Sequence, residues 1–360
     1  MIMRDLNTII LSNPTNADWV NADWIKRGAA LLEAKGITTT IVHGGPSCRE
    51  DLRSVLPRAD LLLVSPWTVP DFFLDDAFLN NAPRLKAVAG TFDNRFTGFL
   101  SLDALTARGI VLIDTSRSMT PTVAEFALAQ TLNLLRDIPA AVALMRAGGW
   151  KAFSRDTLAH VYGDLAGKRI GLAGYGSINK RYHQLISGFG CPTAAYDPAL
   201  DKSAAERLGL TYTDSLEELA AFSEIFVVGI PPLNSSLRAI GQTVFDALPI
   251  GALFILVSRM AVVDEPVLWD AVNNRRLRAA IDVFSNEPVA PDAPYRFLPN
   301  VLTTPHIAGE AFYCHERCFY DACIDCLAVI EGQPRRFEVT RIDEAMYARV
   351  DARGRAMVSC

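Results

Sequence analysis

Short apolar runs alternate with amphipathic stretches along most of the chain. In the first 115 residues, β-rich runs fall at Thr8–Leu11, Ile37–Val42, Ala59–Val64, Leu85–Ala89 and Ile110–Ile113. Helical spacing marks Ala22–Ala34, Arg49–Leu56, Asp71–Asn81 and Leu102–Arg108 between them. Such a cadence needs right-handed crossovers and predicts a parallel sheet covered on both faces. The pattern changes from Pro121 to Ala147, where TVAEFALAQTLNLLR and the residues after it read as one long apolar helix. Thr120 can cap it, and Pro121 suits its first position. The helix is too apolar to be solvated all round. It is expected either to be buried in its own domain or to pack on a second subunit, the second being favoured.

The alternation resumes with strands at Arg169–Ala173, Thr193–Tyr196, Ile225–Ile230, Leu253–Val257, Ala279–Val283 and Val301–Thr304. Helices are expected in most of the gaps, including Ser177–Gly188, Leu216–Ala221 and Glu265–Asn273. Six strands in this order fit a doubly wound sheet. Beyond Ala311 the chain reads as helical as far as Ile330 and then as charged and irregular. A chain of 360 residues is long for a single core, so two domains are expected. The fold class is α/β: a Rossmann-type doubly wound parallel sheet with a second, smaller flavodoxin-like domain. The smaller domain is placed at residues 1–115 plus 312–360 and the larger at 116–311, with a helical arm at about 118–150.

Composition narrows the classes. Half the residues are apolar and 21% are charged, which is ordinary globular usage. A net charge of −5 argues against nucleic acid as a partner. No apolar run approaches the roughly 18 to 20 residues needed to span a bilayer. The N-terminal apolar stretch is only Ile9 to Leu11, so no signal-peptide core is present and a cytoplasmic protein with no membrane partner is expected. Seven cysteines form an odd set without framework spacing, as reduced thiols do. Cys314, Cys318, Cys323 and Cys326, with His315 among them, fall on one helical stretch. At about 100° per residue they point around most of its circumference and cannot close a tetrahedron, so no metal is expected.

The strongest motif is RIGLAGYGSIN, from Arg169 to Asn179. It follows an apolar strand, opens a helix and is followed by Asp197 at the end of the next strand, the context of a dinucleotide fingerprint. Gly174 permits the tight turn, and Gly176 lets a pyrophosphate approach the helix N-terminus. Asp197 is placed to accept hydrogen bonds from ribose hydroxyls, which predicts NAD over NADP. Lys202 is the nearest base that could oppose this preference. Asn179 stands at the third glycine position and is expected to loosen the packing of helix on strand.

From about Leu85 to Gly332 the chain resembles the D-isomer-specific 2-hydroxyacid dehydrogenase family. Val123, Ala124 and Glu125 with Arg136 resemble its helical arm. LVSRMAVVDE (Leu256–Glu265) resembles its arginine motif, AIDVFSNEP (Ala280–Pro288) its acidic motif, and TPHIAG (Thr304–Gly309) its histidine motif. The resemblance implies an NAD-dependent oxidoreductase, a homodimer, that moves a hydride between the cofactor and a 2-oxo/D-2-hydroxy acid. The smaller domain would bind substrate and the larger NAD.

The chemistry explains why these side chains go together. Hydride transfer to a 2-oxo acid leaves an alkoxide unless a proton arrives at the carbonyl oxygen. His306 is the expected donor, because unperturbed histidine titrates near neutral pH. Glu287 would orient its ring and favour the protonated form. Arg259 offers a planar fork to the substrate carboxylate. By the same resemblance Tyr175, Ser177, Ile178, Pro231 and Ser258 join Gly174, Gly176 and Asp197 around the cofactor, with Asp282 near the nicotinamide carboxamide and His306 beside the ring. Gly90, Thr91 and Phe92 would meet the substrate carboxylate, and Trp67 lies in a loop that faces substrate in the family.

Three departures stand out. Leu256 replaces the usual asparagine, Met260 the usual glycine, and Tyr175 a smaller residue. They suggest a larger or more apolar substrate. The alternative to catalysis is a non-catalytic NAD(H)-sensing protein of the same fold, against which the complete Arg259, Glu287 and His306 set argues.

Overall fold

The computed structural model describes residues 5–12, 22–43, 48–65, 74–92, 99–150, 163–274 and 276–340. Its contacts divide the chain into two compact units, with boundaries after Met119 and after Glu310.

The first unit holds a parallel sheet of β1 (Asn7–Ser12), β2 (Thr38–His43), β3 (Leu61–Val64), β4 (Ala87–Gly90) and β5 (Val111–Asp114). Its order, β2-β1-β3-β4-β5, is that of a flavodoxin-like sheet. Helices α1 (Ala22–Glu33), α2 (Cys48–Val55), α3 (Asp76–Asn80) and α4 (Leu102–Thr106) connect the strands. Every residue of β3 and β4 is buried, so these strands read as unbroken apolar runs. One face packs Ile9, Leu11, Leu62 and Val88. The other packs Ile10, Leu61, Leu63 and Ala87 against Trp24 of α1 and against Phe319, Cys323 and Cys326 of the C-terminal helix Phe312–Glu331.

The segment after that helix is more ordered than its charge suggests. Asp114 N–H donates to Phe337 O at 3.0 Å and Val339 N–H to Leu112 O at 2.8 Å, so residues 337–339 lie antiparallel along the edge of β5. Asp325 accepts the Phe337 N–H at 2.7 Å, and Arg336 pairs with Asp321, which pins the segment back to the helix. Burial pushes the Cys323 and Cys326 thiols upward, away from ionisation. No group of metal-ligating side chains occurs among the described residues, and no helix there is long and apolar enough to cross a membrane.

The second unit begins with α5 (Thr120–Arg136) and α6 (Ile138–Arg146). The single long helix expected here is therefore two. Asp137 breaks it in the left-handed region at φ 49°, because Pro139 has no N–H and its ring clashes with the carbonyl four residues back. The two pieces then differ. α5 buries Val123, Ala127, Thr131 and Leu134, whereas α6 buries nothing and leaves Ile138, Val142 and Met145 exposed.

Seven parallel strands come next: β6 (Ile170–Ala173), β7 (Thr193–Tyr196), β8 (Thr211–Tyr212), β9 (Ile225–Val228), β10 (Ala252–Leu256), β11 (Leu277–Ile281) and β12 (Val301–Thr303). Their order is β12-β11-β10-β9-β6-β7-β8, the Rossmann arrangement with one strand added beyond β11. Winding reverses between β6 and β9. The helices are α7 (Ser177–Ile186), α8 (Lys202–Arg207), α9 (Leu216–Phe222), α10 (Gln242–Ala247) and α11 (Glu265–Asn273). β8 is an addition to the sequence expectation, too short to show a period, whereas α8 and α10 fill gaps where helices were expected without bounds.

Candidate functional site

The functional side chains of the second unit gather at the carboxyl ends of its strands. β6 runs into Gly174 at φ 80°, where an added Cβ would come within 3.0 Å of the Ile230 nitrogen. Gly176 precedes the first turn of α7, and an added Cβ there would meet nothing within 4 Å. Gly174 is therefore demanded by the protein, whereas Gly176 leaves open room before a helix N-terminus. Ser177 and Ile178 begin that helix, where backbone N–H groups lack intrahelical partners.

Asp197 closes the loop from the end of β7. Its Oδ2 accepts the Tyr175 N–H at 2.7 Å and its Oδ1 the Ala199 N–H at 2.8 Å. A carboxylate with these two bonds keeps acceptor capacity for a ligand. Tyr175 folds inward, only 6% exposed, with its hydroxyl 2.9 Å from His183 Nδ1.

Asn179 does not loosen the helix. It is buried, and its Nδ2 donates to Gly174 O at 2.6 Å, with Val227 O at 3.3 Å. A Cβ on Gly229 would lie 2.6 Å from that same Nδ2. The glycine missing at position 179 is thus offset by a glycine at the end of β9, and the amide ties β6 to β9 at the reversal point. Pro231, just beyond, is exposed, and its carbonyl accepts the Ser236 hydroxyl at 2.6 Å.

Arg259 follows β10 in extended backbone, and its Nη1 donates to Ser258 O at 2.7 Å. The Ser258 hydroxyl is buried with no hydrogen-bond partner among the described residues. Leu256 and Met260, expected near substrate, are instead 0% and 1% exposed within the core of this unit. They fill space beneath the sheet end, so they carry no case for an unusual substrate.

Beyond the ends of β12 and β11, His306 Nδ1 and Glu287 Oε2 are 2.7 Å apart. The other oxygen, Glu287 Oε1, accepts the Phe284 N–H at 2.9 Å, which holds the carboxylate from behind. The couple is partly exposed, 38% for His306 and 29% for Glu287. Both line a pocket of about 300 Å³ with Phe284, Tyr295, Arg296 and Thr304.

Asp282 is placed differently from expectation. It is 1% exposed beneath the histidine loop, accepting Thr304 Oγ1–H at 2.6 Å, Ile307 N–H at 3.0 Å and Ala308 N–H at 2.8 Å. Burial pushes its carboxyl upward, and those three bonds oppose the shift. Its carboxylate serves the loop rather than the surface.

In the first unit, Gly90, Thr91 and Phe92 leave β4. Thr91 is 7% exposed and shares a 2.9 Å hydrogen bond with the Thr115 hydroxyl, which also donates to Gly90 O at 3.0 Å. The Phe92 ring lies against Gly90, and its N–H donates to Asp114 Oδ1 at 3.2 Å. That amide, expected to meet a substrate carboxylate, is already held by a protein one. Trp67 lies outside the described residues. Thr304 and Gln130, which bonds it, were missed from sequence. A hydroxyl two residues before the histidine and a lone glutamine in an apolar helix were the available signals.

Comparison with known proteins agrees with this geometry. Residues 128–308 match the family model described as D-isomer specific 2-hydroxyacid dehydrogenase, NAD binding domain. A D-3-phosphoglycerate dehydrogenase of Mycobacterium bovis is 32% identical over 80% of this chain and 52% of its own length. The chain thus spans about half of that relative. A glyoxylate/hydroxypyruvate reductase B of Pectobacterium atrosepticum is 33% identical over 72% of this chain and 80% of its own. A crystal structure of a phosphoglycerate oxidoreductase from Rhizobium etli superposes with a TM-score of 0.77 at 26% identity, covering 95% of this chain and 99% of that one. With its doubly wound sheet matched by the family model, and with a relative above 30% identity covered over four-fifths of its length, the chain belongs to the D-isomer specific 2-hydroxyacid dehydrogenase family.

Proposed function

We propose that the protein is an NAD-dependent oxidoreductase that interconverts a 2-oxo acid and its D-2-hydroxy acid. The observation that carries this reading is the 2.7 Å His306–Glu287 couple, presented at the same sheet edge as Arg259.

The residues fit the cofactor. Gly174, Gly176, Ser177 and Ile178 provide the open, N–H-rich turn that a pyrophosphate needs. Asp197 would take the ribose hydroxyls, and the buried Ser258 hydroxyl, which has no partner among the described residues, would be free to bond the cofactor. When bound, the nicotinamide supplies the hydride. Arg259 holds the substrate carboxylate in its fork. With Nδ1–H committed to Glu287, the opposite nitrogen of His306 is left to give its proton to the carbonyl oxygen as charge develops there. Glu287 stabilises the imidazolium before transfer, and its own orientation is set by the Phe284 N–H. The second unit is thereby the nucleotide-binding domain and the first the substrate-binding domain.

The exposed apolar face of α6, with Trp150 84% exposed beyond it, supports a homodimer as the working assembly. The free thiols of Cys191 and the C-terminal helix support a cytoplasmic setting. The test is NADH oxidation against glyoxylate, hydroxypyruvate, the oxo form of 3-phosphoglycerate and larger aromatic 2-oxo acids, with chiral analysis of the product. Turnover of at least one acid to the D product is expected. Tight NADH binding without turnover of any of them would overturn the reading.

A further inference from the structure

A hydrogen-bond chain runs from α5 to the loop that presents His306. Gln130 Nε2 donates to Thr304 Oγ1 at 3.3 Å, and the Thr304 hydroxyl donates to Asp282 Oδ1 at 2.6 Å. Asp282 then receives the Ile307 and Ala308 N–H groups, the two that follow His306. Gln130 is only 4% exposed among the apolar buried positions of α5, where an amide is costly to bury unless it is used.

Two features make this chain more than packing. A threonine hydroxyl has a single hydrogen, so an N–H donated by Gln130 leaves that hydrogen to the carboxylate. In addition, His306 sits at φ 57°, a left-handed conformation that a non-glycine residue keeps only where its surroundings over-determine it. The bonds from Asp282 to the next two residues and from Glu287 to the ring supply that determination.

We propose that Gln130 is a positioning residue for His306: through Thr304 it aims a hydroxyl at Asp282, whose carboxylate fixes the loop that carries the imidazole. The proposal rests on the reading of His306 as proton donor. The ionisable groups around the imidazole are Glu287 at Nδ1, Asp282 beneath the loop, and Tyr295 and Arg296 across the pocket. Burial favours the neutral form of Asp282, while the Thr304 hydroxyl, the two amides and the His306 charge favour the ionised form. Removing the hydroxyl, or the donor that orients it, weakens both the anchor and the negative charge beside the ring.

Four variants test this: Thr304→Val, Thr304→Ser, Gln130→Met and the Thr304→Val/Gln130→Met double. Each is read by kcat, by KM for NADH and by the pH profile of keto-acid reduction. Each is also read by NMR titration of the His306 ring in histidine-labelled protein, assigned by the signal lost in His306→Gln. Thr304→Val should lower kcat about tenfold and move both the alkaline limb and the ring midpoint to lower pH, and Gln130→Met should do the same at about threefold, the scale of one lost hydrogen bond. Thr304→Ser should stay near wild type, KM for NADH should change by less than about twofold, and the double should be no worse than Thr304→Val. An unchanged ring midpoint in Gln130→Met, or losses that multiply in the double, would overturn the proposal. If wild type reduces no 2-oxo acid, the enzymatic reading fails separately, and the ring titration still decides whether Gln130 acts on His306.

Discussion

The loops at the carboxyl ends of the two sheets dispose their side chains in opposite ways. After β10 and β12 of the second unit, Arg259 and His306 stay partly exposed, each held by a short bond to its own surroundings. After β4 of the first unit, Thr91 and Phe92 turn inward, 7% and 4% exposed, and the Phe92 amide is taken by Asp114. A loop whose side chains are spent on the core can offer a ligand little beyond its remaining backbone. A loop whose side chains are braced from behind can offer an acid and a cation. Among the described residues, the ionisable side chains left partly exposed in this comparison are those of the second unit.

The strongest challenge to this contrast is to remove the groups that the second unit presents. His306→Ala should lower kcat by about 10²–10⁴-fold with little change in KM for the oxo acid, as expected for a lost general acid. Arg259→Ala should raise that KM and lower kcat together, the pattern of a group that meets the carboxylate in both ground and transition states. Steady-state kinetics on the best substrate from the panel separates the two. Wild-type rates in His306→Ala at every pH would return the second unit's loops to a binding role alone.

A smaller effect is expected at the cofactor end. The carboxylate of Asp197 repels the 2′-phosphate of NADP, so wild type should prefer NADH by about tenfold or more in kcat/KM. Asp197→Ser should lose most of that preference. Equal use of both cofactors by wild type would mean that Lys202 overrides the carboxylate. The smallest effect should come from the first unit. Phe92→Leu should lower stability by about 1–2 kcal/mol, seen as a shift in the denaturation midpoint, while leaving kcat/KM within about twofold. A tenfold rise in substrate KM without loss of stability would show that the inward-facing loop recognises substrate after all.

Much of this arrangement is legible in the chain, because local signals suffice for it. The Gly174–Gly176 turn, the strand at Thr193–Tyr196 and helix α11 each follow from a run of neighbouring residues. The break at Asp137 was also written locally, in Pro139, but the apolar period on either side of it masked the stop. Other features depend on residues far apart in sequence. Asn179 is accommodated by Gly229, fifty positions on, and nothing near Asn179 announces it. Whether Leu256 and Met260 face ligand or core depends on which side of the sheet the neighbouring strands cover, which no window of residues contains. Asp282 is similar: a carboxylate at a strand end suggests a ligand contact, and only the fold of the loop 25 residues later turns it inward.

The cover of the first sheet by Phe312–Glu331 also sets an order of events in synthesis. Ile10, Leu61, Leu63 and Trp24 leave the ribosome early, but the helix that buries them and the strand-edge residues 337–339 come after the whole second unit. At about 5–20 residues per second, that gap lasts roughly 10 to 45 s. The second unit, continuous from Thr120 to Glu310, can finish folding in the interval. The first waits with one apolar face and one sheet edge open, so in the nascent chain it is the N-terminal third that folds last and has most need of a chaperone.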